Sequence, residues 1–508
     1  MMKRINIKNI SLLAAAALAL TACEPELDNA IEEGGVYTAG DADFSKLVTV
    51  GNSLTAGFAD GALYLDGQTY SYPNILAGQM QFVGGNEFNQ PLVNDNLGGL
   101  LLNGTQITNN RFVLTSNMGT PVGPAPLAGT PTTDIANKVT GPLNNFGVPG
   151  AKSYHLGAPG YGSLAGVPAG TANPYYARFS SSESSTVIGD AIAADGSFFV
   201  LWIGNNDILG YATNGGDGED HNETGNIDPS TYGGNDITNN NVFAGVYQQL
   251  VQGLTANGAQ GALVNIPDVT SIPFFTTVPY NAIPLDAQTA AFVNQNYAQY
   301  NGAMAAYAQT PLLSQEEATA RTISFAQGQN AIVILDEDLT DLPDPTQPGQ
   351  FLPKLRQATP NDLVVFTAST VLGTLADPSN PASVIGVGVP AGDNLVLTEN
   401  EQQRISTAQA SYNATIEALA QANGLAYVDA RAVLADVANG GVAFNGGLLS
   451  STYASGGAFS LDAVHPTARG YAYTANTIIQ AINEQYGSTI PTVDIGNYPS
   501  VTASDNVN

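Results

Sequence analysis

The chain has 508 residues, 44% hydrophobic and 11% charged, a composition that suits a folded globular protein and excludes a disordered one. Acids outnumber bases 43 to 14, a formal charge of −29, so phosphate backbones are repelled and nucleic acid is discounted as a partner. A single cysteine cannot form an internal disulfide, and with only three histidines a zinc site is disfavoured.

Residues 1–22 read as an export leader, with Lys3, Arg4 and Lys8 as a basic start, an apolar core over 12–20, and Leu20-Thr21-Ala22-Cys23 as a small-residue cleavage site. The core is far shorter than the roughly 20 residues needed to span a bilayer. The Leu-Thr-Ala-Cys run resembles a bacterial lipobox, which implies acylation of Cys23 as the first mature residue; an uncleaved apolar start with an incidental cysteine is the alternative. Without the leader, 11 bases face 43 acids, a balance of −32 that acts as a solubility device. Residues 23–45 form an acidic tether, and Glu24-Pro25-Glu26-Leu27-Asp28 resembles the export tags of surface lipoproteins or is a plain linker. The next longest apolar run, 198–204, is too short for a membrane helix, so the expected location is the cell envelope, as an outer-membrane lipoprotein held by lipid.

Short apolar runs ending in Gly, Asn, Pro or Asp predict buried strands at 46–50, 198–203, 262–266 and 425–428. Such continuous runs suit a parallel sheet covered on both faces. Three stretches interrupt the pattern: 70–143 is irregular, 215–241 is a loop rich in Asp, Asn and Gly, and 271–398 is a large insertion. The insertion is expected to hold a helix near 286–309 and strands near 331–335 and 363–366. Long loops in compact domains tend to be functional, so these are expected to carry substrate specificity, as a lid or a groove. Helical periodicity covers 398–423, where Ile405, Ala408, Tyr412, Ile416 and Leu419 recur at spacings of three and four before Gly424, and again 466–486. Residues 487–508 read as a loosely structured tail. The alternation predicts one α/β domain over 46–486, a three-layer α/β/α fold with a doubly wound parallel sheet and large loop insertions.

Four segments carry candidate chemistry. Ser53 follows the first strand in Gly51-Asn52-Ser53-Leu54, either a nucleophile on a sharp turn or a plain helix cap. Asp462 and His465 are three apart, so on one helical turn the carboxylate would orient the imidazole, with Pro466 in the first turn of a helix; a cap and a surface histidine are the bland reading. In Gly204-Asn205-Asn206-Asp207 an apolar strand runs into a polar turn that suits an amide donor at the sheet's carboxyl edge, or is an ordinary Asn-rich turn. Gly147-Val148-Pro149-Gly150 offers a backbone N–H at a tight bend.

In order and character these segments resemble the four blocks of the SGNH hydrolases, also called GDSL esterases and lipases. The resemblance implies a flavodoxin-like α/β/α fold and ester hydrolysis without metal or organic cofactor. It further implies Ser53 as nucleophile, His465 as base, Asp462 as its orienting partner, and an oxyanion hole from the N–H groups of Ser53 and Gly150 with the side-chain amide of Asn206. One departure is that Asn52 stands where the family name has Asp, which bears on hydrogen bonding in the turn. Lipid acyl esters, acetylated glycans and small esters all fit this machinery.

Other readings have less behind them. Thr55 occupies the position where a Gly-x-Ser-x-Gly elbow needs glycine, and phosphate-loop, zinc-helix and dinucleotide signatures are missing. The acids of 217–220 and 222–236 match no calcium-loop spacing and read as a solvated loop. His155, five residues after Gly150, either borders the cleft or simply packs. From another class, a surface lipoprotein that captures glycans or lipids on the same fold is the alternative function.

Overall fold

The computed structural model describes residues 37–117 and 120–507, so the leader, Cys23 and the tether as far as 36 lie outside the described residues. Five strands form the central sheet: β1 (Leu47–Gly51), β2 (Asn145–Gly147), β3 (Phe198–Trp202), β4 (Gln260–Val264) and β5 (Ala426–Val428). They run parallel in the order β2-β1-β3-β4-β5, the doubly wound arrangement of flavodoxin-like folds. Their apolar runs are buried on both faces, with Val48, Val50 and Phe198 to Trp202 all at most 4% exposed.

The helices that place the site are α1 (Ser53–Ala56), α2 (Tyr72–Met80), α3 (Val187–Ala193), α4 (Asn206–Thr213), α5 (Asn240–Thr255), α6 (Ala287–Tyr307), α7 (Glu399–Asn423), α8 (Ala430–Ala438) and α9 (Ala468–Tyr486). Helices α2 and α9 pack together on one face of the sheet, and α3, α5 and α7 on the other. α7 begins with a capping box between Thr398 and Glu401 and ends at left-handed Gly424. Among the described residues, no helix is long and apolar enough to cross a membrane.

The four expected strands and the three expected long helices are present within a few residues of their expected limits. β2 is an addition. It is only three residues long, and its strand character comes from its neighbour: Thr49 pairs with Asn145, and Asn144 exchanges bonds with the β1 backbone at Thr49 N and Leu47 O.

Three expectations need correction. The last helix starts at Ala468, with the Thr467 hydroxyl capping Gly470 N–H, so Pro466 lies before the cap and not in the first turn. The stretch 70–143 is not wholly irregular, since α2 opens it with Tyr72, Leu76 and Met80 buried in the core. The tail is not loose: Ile490 and Ile495 are buried, Asn476 and Asn483 of α9 clamp the backbone at Val493 and Ile490, and Leu114 bonds to Thr502 and Ser504.

The 271–398 insertion is a packed body. It holds α6 and short antiparallel pairs such as Val333–Leu335 with Leu355–Gln357, and its core is continuous with that of the sheet. Two buried arginines fix it: Arg321 reaches Tyr300 Oη and the carbonyls of Thr340 and Pro353, and Arg356 forks onto Asp362 while holding Asp336.

Candidate active site

At the carboxyl end of β1 the chain turns sharply into α1, with Ser53 as its first helical residue. The turn lies tight against β2: a Cβ on Gly147 would come within 2.3 Å of Ala56 N, so glycine is required there. Asn52 caps α1 by accepting from Leu54 N–H at 3.0 Å, and its amide donates to Asn205 Oδ1 at 3.1 Å. Asn52 therefore meets the turn's hydrogen bonding and also links the β1 turn to the β3 turn, across the point where the strand order reverses. Crevices at that switch point are where open α/β sheets bind ligands.

His465 Nε2 lies 2.8 Å from Ser53 Oγ, and His465 Nδ1 lies 2.9 Å from Asp462 Oδ2, bringing together residues 412 apart in sequence. A carboxylate only accepts, so Nδ1 carries the ring proton and Nε2 is left to accept from the serine hydroxyl. Asp462 and His465 do not share a helix as the spacing suggests. They lie on an irregular turn with Ala463 in the left-handed region at φ 63°, a conformation a non-glycine residue adopts only when its surroundings impose it.

The surroundings are specific. Asp462 Oδ1 accepts from Ser460 Oγ, Val464 N and His465 N, while Oδ2 accepts from Gly61 N as well as from the imidazole. Burial alone would raise this carboxyl, but the charge and hydrogen bonds of His465, with help from Val464 N–H, outweigh it and hold the pKa down at about 2. Asp60 locks the supporting loop in turn, giving its N–H to Ser460 Oγ and taking that of Leu461 on Oδ1. Phe58 packs its ring 4.8 Å from that of His465. Ser460, Gly61 and Phe58 carry no motif signal; they reach the site only through folding.

Asn206 opens α4 at the end of β3, and its amide donates one proton to Ala151 O at 2.8 Å, leaving the second N–H available. The next residue, Asp207, is fully buried and takes both the N–H and the hydroxyl of Ser153, so the β3 turn holds the glycine block in place. Burial raises the Asp207 pKa, against the pull of the Ser153 bonds and Lys152. Gly150 is exposed at φ 81°, one residue before the carbonyl that Asn206 holds.

Ser53, Asn206 and His465 share a cavity of about 120 Å³ whose walls are mostly apolar, Trp202, Leu209, Val264, Ile272, Leu434 and Ile478 among them, with Asn52, Asn205, Thr474 and Thr477 as further polar lining. Gly150 does not line it, and of the 271–398 insertion only Ile272 does. His155 does not border this cavity. It stacks on Tyr161 beside a separate cavity of about 900 Å³, and burial, with the charge of Lys152, lowers its pKa to about 4.

Three acids of 215–241 are committed to local structure, while Glu223 reaches Arg404 of α7. Asp220 and Asp228 cap the turns at Asn222 and Ser230, and Asp236 takes Glu219 N, Gly233 N and buried His221. The loop is folded rather than merely solvated, and Asp236 O receives the Lys152 ammonium from beside the glycine block. Cys23 lies outside the described residues.

Neither a protein-family model nor a curated protein matches the chain. Among solved structures, an acetyl-xylooligosaccharide esterase from Geobacillus stearmophilus aligns over 87% of this chain and 96% of its own, at 10% identity and a TM-score of 0.30.

Proposed function

We propose that the protein is a serine ester hydrolase of the SGNH type, acting on esters of apolar acyl groups at the cell envelope, where lipid on Cys23 tethers it to the outer membrane. One observation carries the reading: an unbroken hydrogen-bond chain from Ser53 through His465 to Asp462 at the wall of an apolar cavity.

In the proposed cycle His465 Nε2 takes the Ser53 proton as Oγ attacks the ester carbonyl, and then returns it to the leaving alcohol. Asp462, ionised at any working pH, stabilises the imidazolium that forms between these steps. The N–H of Ser53, which as the first helical residue has no intrahelical acceptor, the N–H of Gly150 and the free amide proton of Asn206 are the donors assigned to the oxyanion. Water then attacks the acyl-serine with His465 again as base, so the cycle closes without a further co-reactant.

A fluorophosphonate probe tests the assignment, because only an activated serine reacts with it. Labelling of the wild type and not of Ser53→Ala is expected. A wild type that stays unlabelled while folded, or a Ser53→Ala variant labelled as strongly, overturns the reading. The tether is tested separately: Cys23→Ala should move the protein from the membrane fraction to the soluble one.

A further inference from the structure

We propose that Glu337, Asp393 and Glu401 form a binding site for one calcium-sized divalent cation that fastens the 271–398 insertion to the core of the domain. One carboxylate oxygen from each lies within 4.8 Å of the other two, a spacing that one cation can bridge. The three come from separate places: Glu337 follows the strand Val333–Leu335, Asp393 starts the short helix Asp393–Leu395, and Glu401 sits in the first turn of α7.

Glu401 distinguishes this group from ordinary surface acids. Its residue is fully buried, and while Oε2 accepts from Thr398 N and Oγ1, Oε1 is buried with no hydrogen-bond partner. A buried carboxylate oxygen left without a donor is costly, and a cation among the three acids satisfies it. Gly216 frames the same oxygen: a Cβ there would fall 1.9 Å from Glu401 Oε1, so only glycine lets the backbone close over it.

Two cations border the group and neither pairs with Asp393 or Glu401: Lys354 donates to the Glu337 carbonyl at 2.8 Å and pairs with Asp341 at 3.0 Å. Arg404 donates to Asp338 at 2.7 Å and to Glu223 at 3.3 Å, and comes only within 3.8 Å of Glu337. Burial and then Glu337 raise the pKa values of both Asp393 and Glu401, as expected where negative charge lacks compensation. The donors offered are all hard oxygens, which suits calcium over zinc or copper.

Isothermal titration of the metal-stripped full chain with calcium chloride tests this, with magnesium chloride in a parallel run. Saturable binding of one calcium per chain, with a higher Tm than in chelator, is the expected result. Asp393→Asn, at a half-buried position that tolerates an amide, should weaken calcium binding by about tenfold or more. Glu401→Gln keeps the shape of the capping box and should abolish binding. Absence of calcium heat together with an unchanged Tm in the wild type overturns the proposal and leaves shared protons as what holds the carboxylates together. Undiminished binding in a folded Asp393→Asn protein also overturns it. Neither result bears on fluorophosphonate labelling of Ser53.

Discussion

The walls of the Ser53 cavity make a quantitative statement about acyl length. Each methylene moved from water into an apolar pocket contributes about 0.8 kcal/mol, or about fourfold in kcat/KM when the gain is realised in the transition state. From acetate to hexanoate, four methylenes bury about 3 kcal/mol, about 200-fold, if all of them enter; with half of that burial the gain is about 15-fold. A series of p-nitrophenyl acetate, butyrate, hexanoate and octanoate on the purified protein reads this directly. Val433, half-buried on α8 and part of the cavity wall, is the place to block it. Val433→Trp fills the space with an indole and should pull the hexanoate value down towards that of acetate. A wild-type kcat/KM that is flat or falls beyond acetate refutes the cavity as an acyl site, and with it the apolar-acyl part of the proposed function.

Other expectations follow from single contacts. Asn206→Ala removes a proposed oxyanion donor and should lower kcat by about 10²–10³ with the fold retained; full activity would remove Asn206 from that role. Asn52→Asp should be tolerated, with Tm within a few degrees of wild type, because Asn205 can flip its amide and donate to the new carboxylate in place of accepting from Asn52. Thermal melts in chelator across pH check the acid group at Glu401. Glu401 and Asp393 face Glu337, with Asp217 and Asp336 also acting on Asp393, and both have folded pKa values above their unfolded ones. Protonation therefore favours the folded state: their contribution is full below the ordinary carboxylate range and is lost as pH rises through the raised values. Tm in chelator should fall over that rise, and calcium should flatten the fall.

Much of the site was legible because its blocks are local. Ser53 and Asn206 each follow an apolar strand, and such strands announce themselves by continuous hydrophobicity. The spacing of Asp462 and His465 identified the pair but gave the wrong geometry, since a three-residue separation suits a helical turn and equally the irregular turn that Ala463 makes at positive φ. What fixes that turn is supplied from about 400 positions away: Gly61 N on Asp462, and the exchange between Asp60 and the chain at Ser460 and Leu461. No local period encodes such contacts.

The same limit explains the tail and the insertion. Helix and strand patterns report how apolar side chains repeat, yet amides of α9 grip the backbone of the tail at Ile490 and Val493, and Leu114 holds it at Thr502 and Ser504. Asn294 and Asn301 of α6 grip Phe325 and Ile323 likewise, and Asn413 of α7 grips Ile266. Each asparagine offers a donor and an acceptor, as a neighbouring strand would, so irregular chain is fixed without a pattern of its own. Sequence alone determined the layer type, four of the five sheet strands and the segments that hold Ser53, Asn206, Asp462 and His465, because those rest on local hydrophobic runs and short spacings. Tertiary structure alone decided β2, the clamp on Asp462, the apolar cavity and the meeting of Glu337, Asp393 and Glu401, because each requires segments far apart in the chain to become neighbours.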